Sequence, residues 1–203
     1  MGKVYDSALI VMRGQGLHKG HEHIINIADT LADRILIFVG SAQESGTKRN
    51  PFNVGTRVDM LRAIYDNEDK YIIKPLTDMS NENDINTDWG KYVLNECKRY
   101  IYKAPSIVVY GKEEGRDGYA WFADEDMKKT TQIIVNRNDI PICATQLRDY
   151  ICMDNREMFF EWTNDKLHKY YDKIRAELMS IPYYQDRAKE LMSGKIEIAT
   201  SSF

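Results

Sequence analysis

The chain holds only three cysteines, Cys97, Cys143 and Cys152. An odd number without metal-like spacing argues against a disulfide framework or a structural metal site, and for reduced thiols. There is no surplus of basic residues either. The net charge is -3, which leaves no bulk electrostatic case for nucleic-acid binding. No apolar run approaches membrane-spanning length, and the first residues, Met1-Gly-Lys-Val-Tyr-Asp6, carry no signal-peptide pattern. The expectation is a cytoplasmic protein that binds neither membrane nor nucleic acid. Internal repeats and low-complexity segments are absent as well. What is present is ordinary for a globular chain: 203 residues, 43% hydrophobic and 29% charged, enough for one medium domain or one domain with a helical tail.

Apolar runs alternate with helical spacings along the chain. Ala8–Met12 reads as a buried strand, and Glu22–Asp33 as a helix with Ile24, Ile25, Ile27, Ala28 and Leu31 on one side. Arg34–Gly40 is a second strand, Ser41–Asn53 a polar loop and Val54–Tyr65 a helix. Tyr71–Ile73 is a short third strand. An Asn- and Asp-rich loop follows from Thr77 to Asp88, then a helix over Trp89–Tyr102. Ser106–Tyr110 is a fourth strand closed by Gly111, and Thr131–Val135 a fifth. A further helix runs over Thr145–Met153, with Thr145 as its expected cap. This alternation predicts an α/β fold: a parallel sheet with helices on both faces.

From Asn155 the chain changes character. Met158, Phe159, Phe160, Trp162, Leu167, Tyr170, Tyr171, Ile174 and Leu178 recur at helical spacings. Pro182 should break this pattern, with a second short helix over Tyr183–Met192 and a frayed end from Lys195 to Phe203. The reading is an α/β domain over residues 1–154 and a helical extension over 155–203 packed on it. The aromatic stripe is also a candidate interface between copies, so the oligomeric state stays open.

Three stretches carry the chemistry. Arg13-Gly-Gln-Gly-Leu-His-Lys-Gly-His21 places two histidines three apart where the first strand turns into the first helix. In an open α/β sheet, phosphates bind there, because backbone N–H groups and the positive helix end face the crevice. A lone His-x-x-His also reads as helix capping. The second stretch, Ala144-Thr-Gln-Leu-Arg148, sets a hydroxyl and a guanidinium three residues apart at a helix start, which is a phosphate clamp or an ordinary cap with a surface arginine. The third is Gly40-Ser-Ala-Gln43, followed by Lys48-Arg-Asn-Pro-Phe52 and Gly55-Thr-Arg57. It is either a basic loop on the same rim or simply a solvated one.

Together these stretches resemble the nucleotidylyltransferase superfamily with the His-x-Gly-His signature, here His18-Lys-Gly-His21. The resemblance spans about residues 8–153. Within the superfamily, the chain looks most like the archaeal-type nicotinamide mononucleotide adenylyltransferases and the related bacterial and phage enzymes that can be fused to a Nudix domain. The resemblance implies a Rossmann-like core and adenylyl transfer from ATP, accompanied by Mg²⁺, to nicotinamide mononucleotide. It implies His18, His21 and Arg148 as catalytic residues. It assigns ATP to Arg13, Gly20, Gly111, Lys112 and Thr145. It assigns the mononucleotide to Ser41, Gln43, Arg49, Asn50, Arg57 and Trp89, the last by stacking on the nicotinamide ring. No protein-borne metal site is implied.

The chain departs from the family in places. The aromatics and proline usual before the first histidine are replaced, leaving Arg13-Gly-Gln-Gly-Leu17. After the fourth strand stands Gly111-Lys-Glu-Glu114. The tail lacks the glycine and paired glutamates of a Nudix box, so pyrophosphohydrolase activity is not expected. Two other functions remain open on sequence grounds: nucleotidyl transfer to another phosphate acceptor, and an inactive nucleotide-binding regulator.

Overall fold

The computed structural model describes residues 2–79, 87–111, 122–136 and 139–200. Lys112 and part of the Asn- and Asp-rich loop lie outside them. Long apolar runs become the middle of the sheet. The five strands β1 (Tyr5–Met12), β2 (Ala32–Val39), β3 (Tyr71–Pro75), β4 (Ile107–Gly111) and β5 (Thr131–Val135) are parallel, in the order β3-β2-β1-β4-β5. Strand period sends alternate residues to opposite faces. Ala8, Ile10, Ile35, Ile37, Ile107 and Val109 enter one core, and Leu9, Leu36, Phe38 and Val108 the other.

The connections determine where a ligand can sit. Helices α1 (Lys19–Leu31) and α2 (Val54–Ile64) carry the chain outward from β1 to β2 to β3. They cover the first face, with Ile25, Ala28, Val58 and Leu61 in its core. Helix α3 (Asp88–Ile101) returns to β4 and covers the other face through Val93, Leu94, Cys97 and Ile101. Winding therefore reverses between β1 and β4, and the crevice beyond their carboxyl ends is the topological switch point.

After β5 the chain enters α4 (Ala144–Cys152), α5 (Arg156–Trp162), a 3₁₀ turn over Asp165–Tyr170, α6 (Tyr171–Met179) and α7 (Pro182–Met192). Phe159, Leu167, Tyr171, Ile174, Leu178 and Leu191 belong to the same apolar core as α1 and α2.

Several sequence-based boundaries move, each for a physical reason. Strand β1 begins at Tyr5 and β2 at Ala32, because backbone pairing of Tyr5 with Ala32 extends the ladder beyond the apolar run. Helix α1 begins at Lys19, since His18 itself caps it. Thr145 is not the cap of α4. Cys143 holds that place with extended dihedrals, and its Sγ accepts from the Gln146 N–H at 3.4 Å. The tail is not one helix before Pro182, because Asn164 starts a new turn by accepting from the Lys166 N–H at 3.1 Å. Pro182 opens α7 at a position where its missing N–H has no cost. Residues Lys195–Thr200 are not frayed. Ile196 and Ile198 pack on the core, and the Ala199 N–H bonds Asp149 at 2.8 Å.

Burial pushes the Cys97 thiol up to about 12 and the Cys152 thiol up to about 11. Both stay protonated at neutral pH, and thiolate is the reactive form. A disulfide reagent at pH 8 is therefore expected to label Cys143 alone in the folded protein and all three thiols in denaturant. Labelling of Cys97 or Cys152 in the native state would contradict their burial. An unfolded thiol ionises near 9.0. The stability tied to these two groups is thus intact below about pH 9 and is lost as pH rises towards 11 and 12.

Candidate functional site

Helix α1 starts with its own imidazoles. His18 Nδ1 accepts from the Gly20 N–H at 3.1 Å, and His21 Nδ1 accepts from the His18 N–H at 3.4 Å. This reciprocal capping box satisfies two of the donors a helix start leaves over. The capping alternative is thus realised, through the Nδ1 atoms. A neutral ring with Nδ1 accepting carries its proton on Nε2, so both rings are Nε2–H donors. The ring centroids lie 4.0 Å apart. Gly20 has a clear reason to lack a side chain: a Cβ there would lie 2.9 Å from His18 Cε1 and 3.0 Å from Nδ1.

A second helix N-terminus meets this one. Ile142, just before α4, lies 3.8 Å from the Cβ position of Gly20. Gly16, with φ of +105°, packs against the Ala144 carbonyl, 3.4 Å from its Cβ position. Arg148 then reaches back from α4. Its Nη1 donates to the Gln15 carbonyl at 2.7 Å and its Nη2 to Thr145 Oγ1 at 3.0 Å. Two helix starts, a hydroxyl and a fixed guanidinium thus converge beside the histidines, a strongly anion-attracting arrangement.

The loop after β2 closes the other side. Gln15, 4% exposed, joins the two loops: its Oε1 accepts from the Phe52 N–H at 2.9 Å, and its Nε2 donates to Asn50 Oδ1 at 3.3 Å. Asn50 is buried and spends its amide on Glu44 at 2.7 Å. Ser41 is buried with φ of +49°, a strained value for a serine. It is held there by Asp78, which accepts from the Ser41 N–H at 3.1 Å and from its hydroxyl at 2.5 Å. Gln43 Oε1 accepts from the Asp78 N–H at 3.1 Å.

Arg57 is placed differently from the sequence-based expectation of a substrate ligand. It is 1% exposed, and its guanidinium donates to the carbonyls of Arg13 and Gly40, both at 2.7 Å, and of Ser41 at 3.0 Å. It is a strut tying the histidine loop to the β2 loop. Burial, with a further contribution from Arg13, pushes its pKa down to about 10, so it stays charged at neutral pH.

The remaining residues are more spread out. Arg13 and Arg49 are exposed on the two loops that Arg57 and Gln15 join. Gly111 ends β4 at the switch point, paired with Val135. Trp89 lies in the first turn of α3, half-buried against the second core, its ring 5.5 Å from that of Tyr92. Sequence reasoning missed Asp78 and the roles of Gln15, Glu177 and Tyr184. Asp78 lay in a loop read only for its composition, and the other three act across long sequence separations.

The cytidylyltransferase-like family model matches residues 15–149. The nicotinamide-nucleotide adenylyltransferase of Pyrococcus horikoshii is 36% identical over 106 residues, covering 50% of this chain and 55% of that protein. The same-named protein of Pyrococcus abyssi is 39% identical over the same length. The chain thus spans about half the length of the curated relatives it matches. Among solved structures, a bifunctional NMN adenylyltransferase/ADP ribose pyrophosphatase from Francisella tularensis, complexed with AMP and a manganese ion, superposes with a TM-score of 0.67 at 22% identity. That match covers 93% of this chain and 53% of the other. At that identity the likeness speaks for the fold.

Proposed function

The chain belongs to the cytidylyltransferase-like family, and from that membership we propose that it transfers the adenylyl group of ATP to nicotinamide mononucleotide, giving NAD and pyrophosphate. The observation that carries the reading is the meeting of two helix N-termini with His18, His21, Thr145 and Arg148 at the switch point. The mononucleotide phosphate oxygen attacks the α-phosphorus of ATP. The bond from that phosphorus to the bridging oxygen breaks, and pyrophosphate leaves with the electron pair. The nucleophile is already an anion, so no strong base is required. Positioning and charge stabilisation do the work.

His18 and His21 donate from Nε2 to the ATP phosphates. Arg148 and Thr145 hold the leaving pyrophosphate. Arg13, Gly20, Gly111 and Lys112 complete the ATP side. Arg49, with Ser41, Gln43 and Asn50 shaping the loop beneath it, holds the mononucleotide phosphate, and Trp89 stacks on the nicotinamide ring. Among the described residues, no group of three or more His, Cys, Asp or Glu side chains is gathered to hold a metal. A hard cation would be carried in on phosphates and waters. Magnesium would neutralise phosphate charge in that bound form. In this reading residues 1–154 form the transferase domain, residues 155–203 the layer packed on it, and the setting is cytoplasmic.

Gly20→Ala tests the histidine geometry. The added methyl displaces the His18 ring and loses about 1 kcal/mol of capping, while helix propensity returns about as much. Melting temperature is therefore expected to move by no more than a few degrees, while turnover falls about tenfold. Unchanged turnover would mean that the His18 ring position is irrelevant.

The proposal as a whole is tested by pyrophosphate release over a panel. ATP and CTP are offered with nicotinamide mononucleotide, nicotinic acid mononucleotide, phosphopantetheine, flavin mononucleotide and glycerol phosphate. Fastest release with ATP and a pyridine mononucleotide is expected. Release confined to another acceptor would replace the assignment.

A further inference from the structure

The steps above leave the C-terminal helices without a task, yet their side chains reach the site. Glu177 of α6 accepts from Thr56 Oγ1 at 2.5 Å and from the Asn53 N–H at 3.1 Å. Tyr184 of α7 is 2% exposed, and its hydroxyl donates to the Lys48 carbonyl at 2.6 Å. That carbonyl belongs to the peptide leading into Arg49. Helix α7 is in turn fixed to α4, since Arg187 donates to the fully buried Asp149 from Nε at 2.5 Å and from Nη2 at 2.6 Å. Around the loop the Lys48 ammonium lies 4.5 Å from the Tyr183 ring centroid.

One hydroxyl thus touches the base of the exposed basic loop from a helix that is itself fixed to α4. An exposed loop carrying an arginine loses conformational freedom when it grips a ligand, and that loss weakens binding. A buried hydrogen bond at the loop's base removes part of that freedom beforehand. We propose that Tyr184 is a positioning residue, tying the acceptor-holding loop to α7, which is itself fixed to α4, so that Arg49 is held in place before substrates arrive. This rests on the reading of the site given above.

Tyr184→Phe keeps the ring and its packing and removes only the hydroxyl. Two measurements on the full chain test it. In the ligand-free protein, amide hydrogen exchange over residues 44–50 is expected to quicken about fivefold, with β1 and β2 unchanged. In steady-state kinetics, KM for the mononucleotide is expected to rise about fivefold to tenfold, while kcat and KM for ATP change less than threefold. Glu177→Gln, which weakens the neighbouring tie, should shift KM in the same direction.

A merely structural role would lower the melting temperature without this split between KM and kcat. Unchanged loop exchange overturns the proposal whatever the substrate is. Faster exchange with an unchanged KM, for a mononucleotide that the wild type does use, overturns it too. A wild type that turns over no mononucleotide would remove the assigned activity, and the exchange result would still decide whether Tyr184 ties the loop.

Discussion

His21→Ala is expected to lower turnover by a factor of about 10² to 10³ while leaving the protein folded. The imidazole has one observed job and one proposed job, and the two can be separated. Its Nδ1 accepts from the His18 N–H at 3.4 Å, which closes the capping box. Its Nε2–H is the donor assigned to ATP phosphate. Loss of the first job costs about 1 kcal/mol of stability. Under the proposed reaction, loss of the second removes a fixed donor from a site where charge spreads onto the leaving group. His21→Gln distinguishes them, because glutamine at this helix position rebuilds the box but does not reproduce the imidazole donor. Stability near wild type with turnover still depressed at least tenfold would assign the loss to the ring. Full activity in His21→Gln would make His21 a cap and nothing more.

Arg57→Met should be the most destabilising single change in the site, by about 3–5 kcal/mol, read as a drop in the urea midpoint. The residue is 1% exposed and satisfies three backbone carbonyls from two loops. Methionine fills similar volume and bonds none of them. Ser41 would also lose one of the contacts that hold it at φ of +49°. Arg57→Lys should recover only part of the loss, since an ammonium cannot reproduce a planar fork aimed at three oxygens. A midpoint change worth less than about 1 kcal/mol for Arg57→Met would show that water or neighbouring groups replace the guanidinium.

The central strands and the histidine turn are legible in the sequence because their signals are local. Continuous apolar runs such as Ile35–Val39 can only be buried, and His18-Lys-Gly-His21 lies within one turn of helix. Arg57 is not legible in the same way. A charged residue beside a polar loop reads as solvated or ligand-binding, and only the fold brings three carbonyls around it. Thr145 against Cys143 is a competition between two acceptors two residues apart, decided by backbone dihedrals. The segmentation of the tail was partly readable from Asn155 and Asn164, each of which caps the turn that follows it. The ties from Glu177 and Tyr184 span 121 to 136 residues of sequence, beyond any periodicity or motif.

The most direct measurement is NAD formation from ATP, Mg²⁺ and nicotinamide mononucleotide, followed together with pyrophosphate, in the wild type and in His21→Ala. The expected result is one pyrophosphate for each NAD formed, with both rates falling together by about 10² or more in the variant. Folded wild-type protein that forms no NAD, or a His21→Ala variant that forms it at the wild-type rate, would contradict adenylyl transfer at this site.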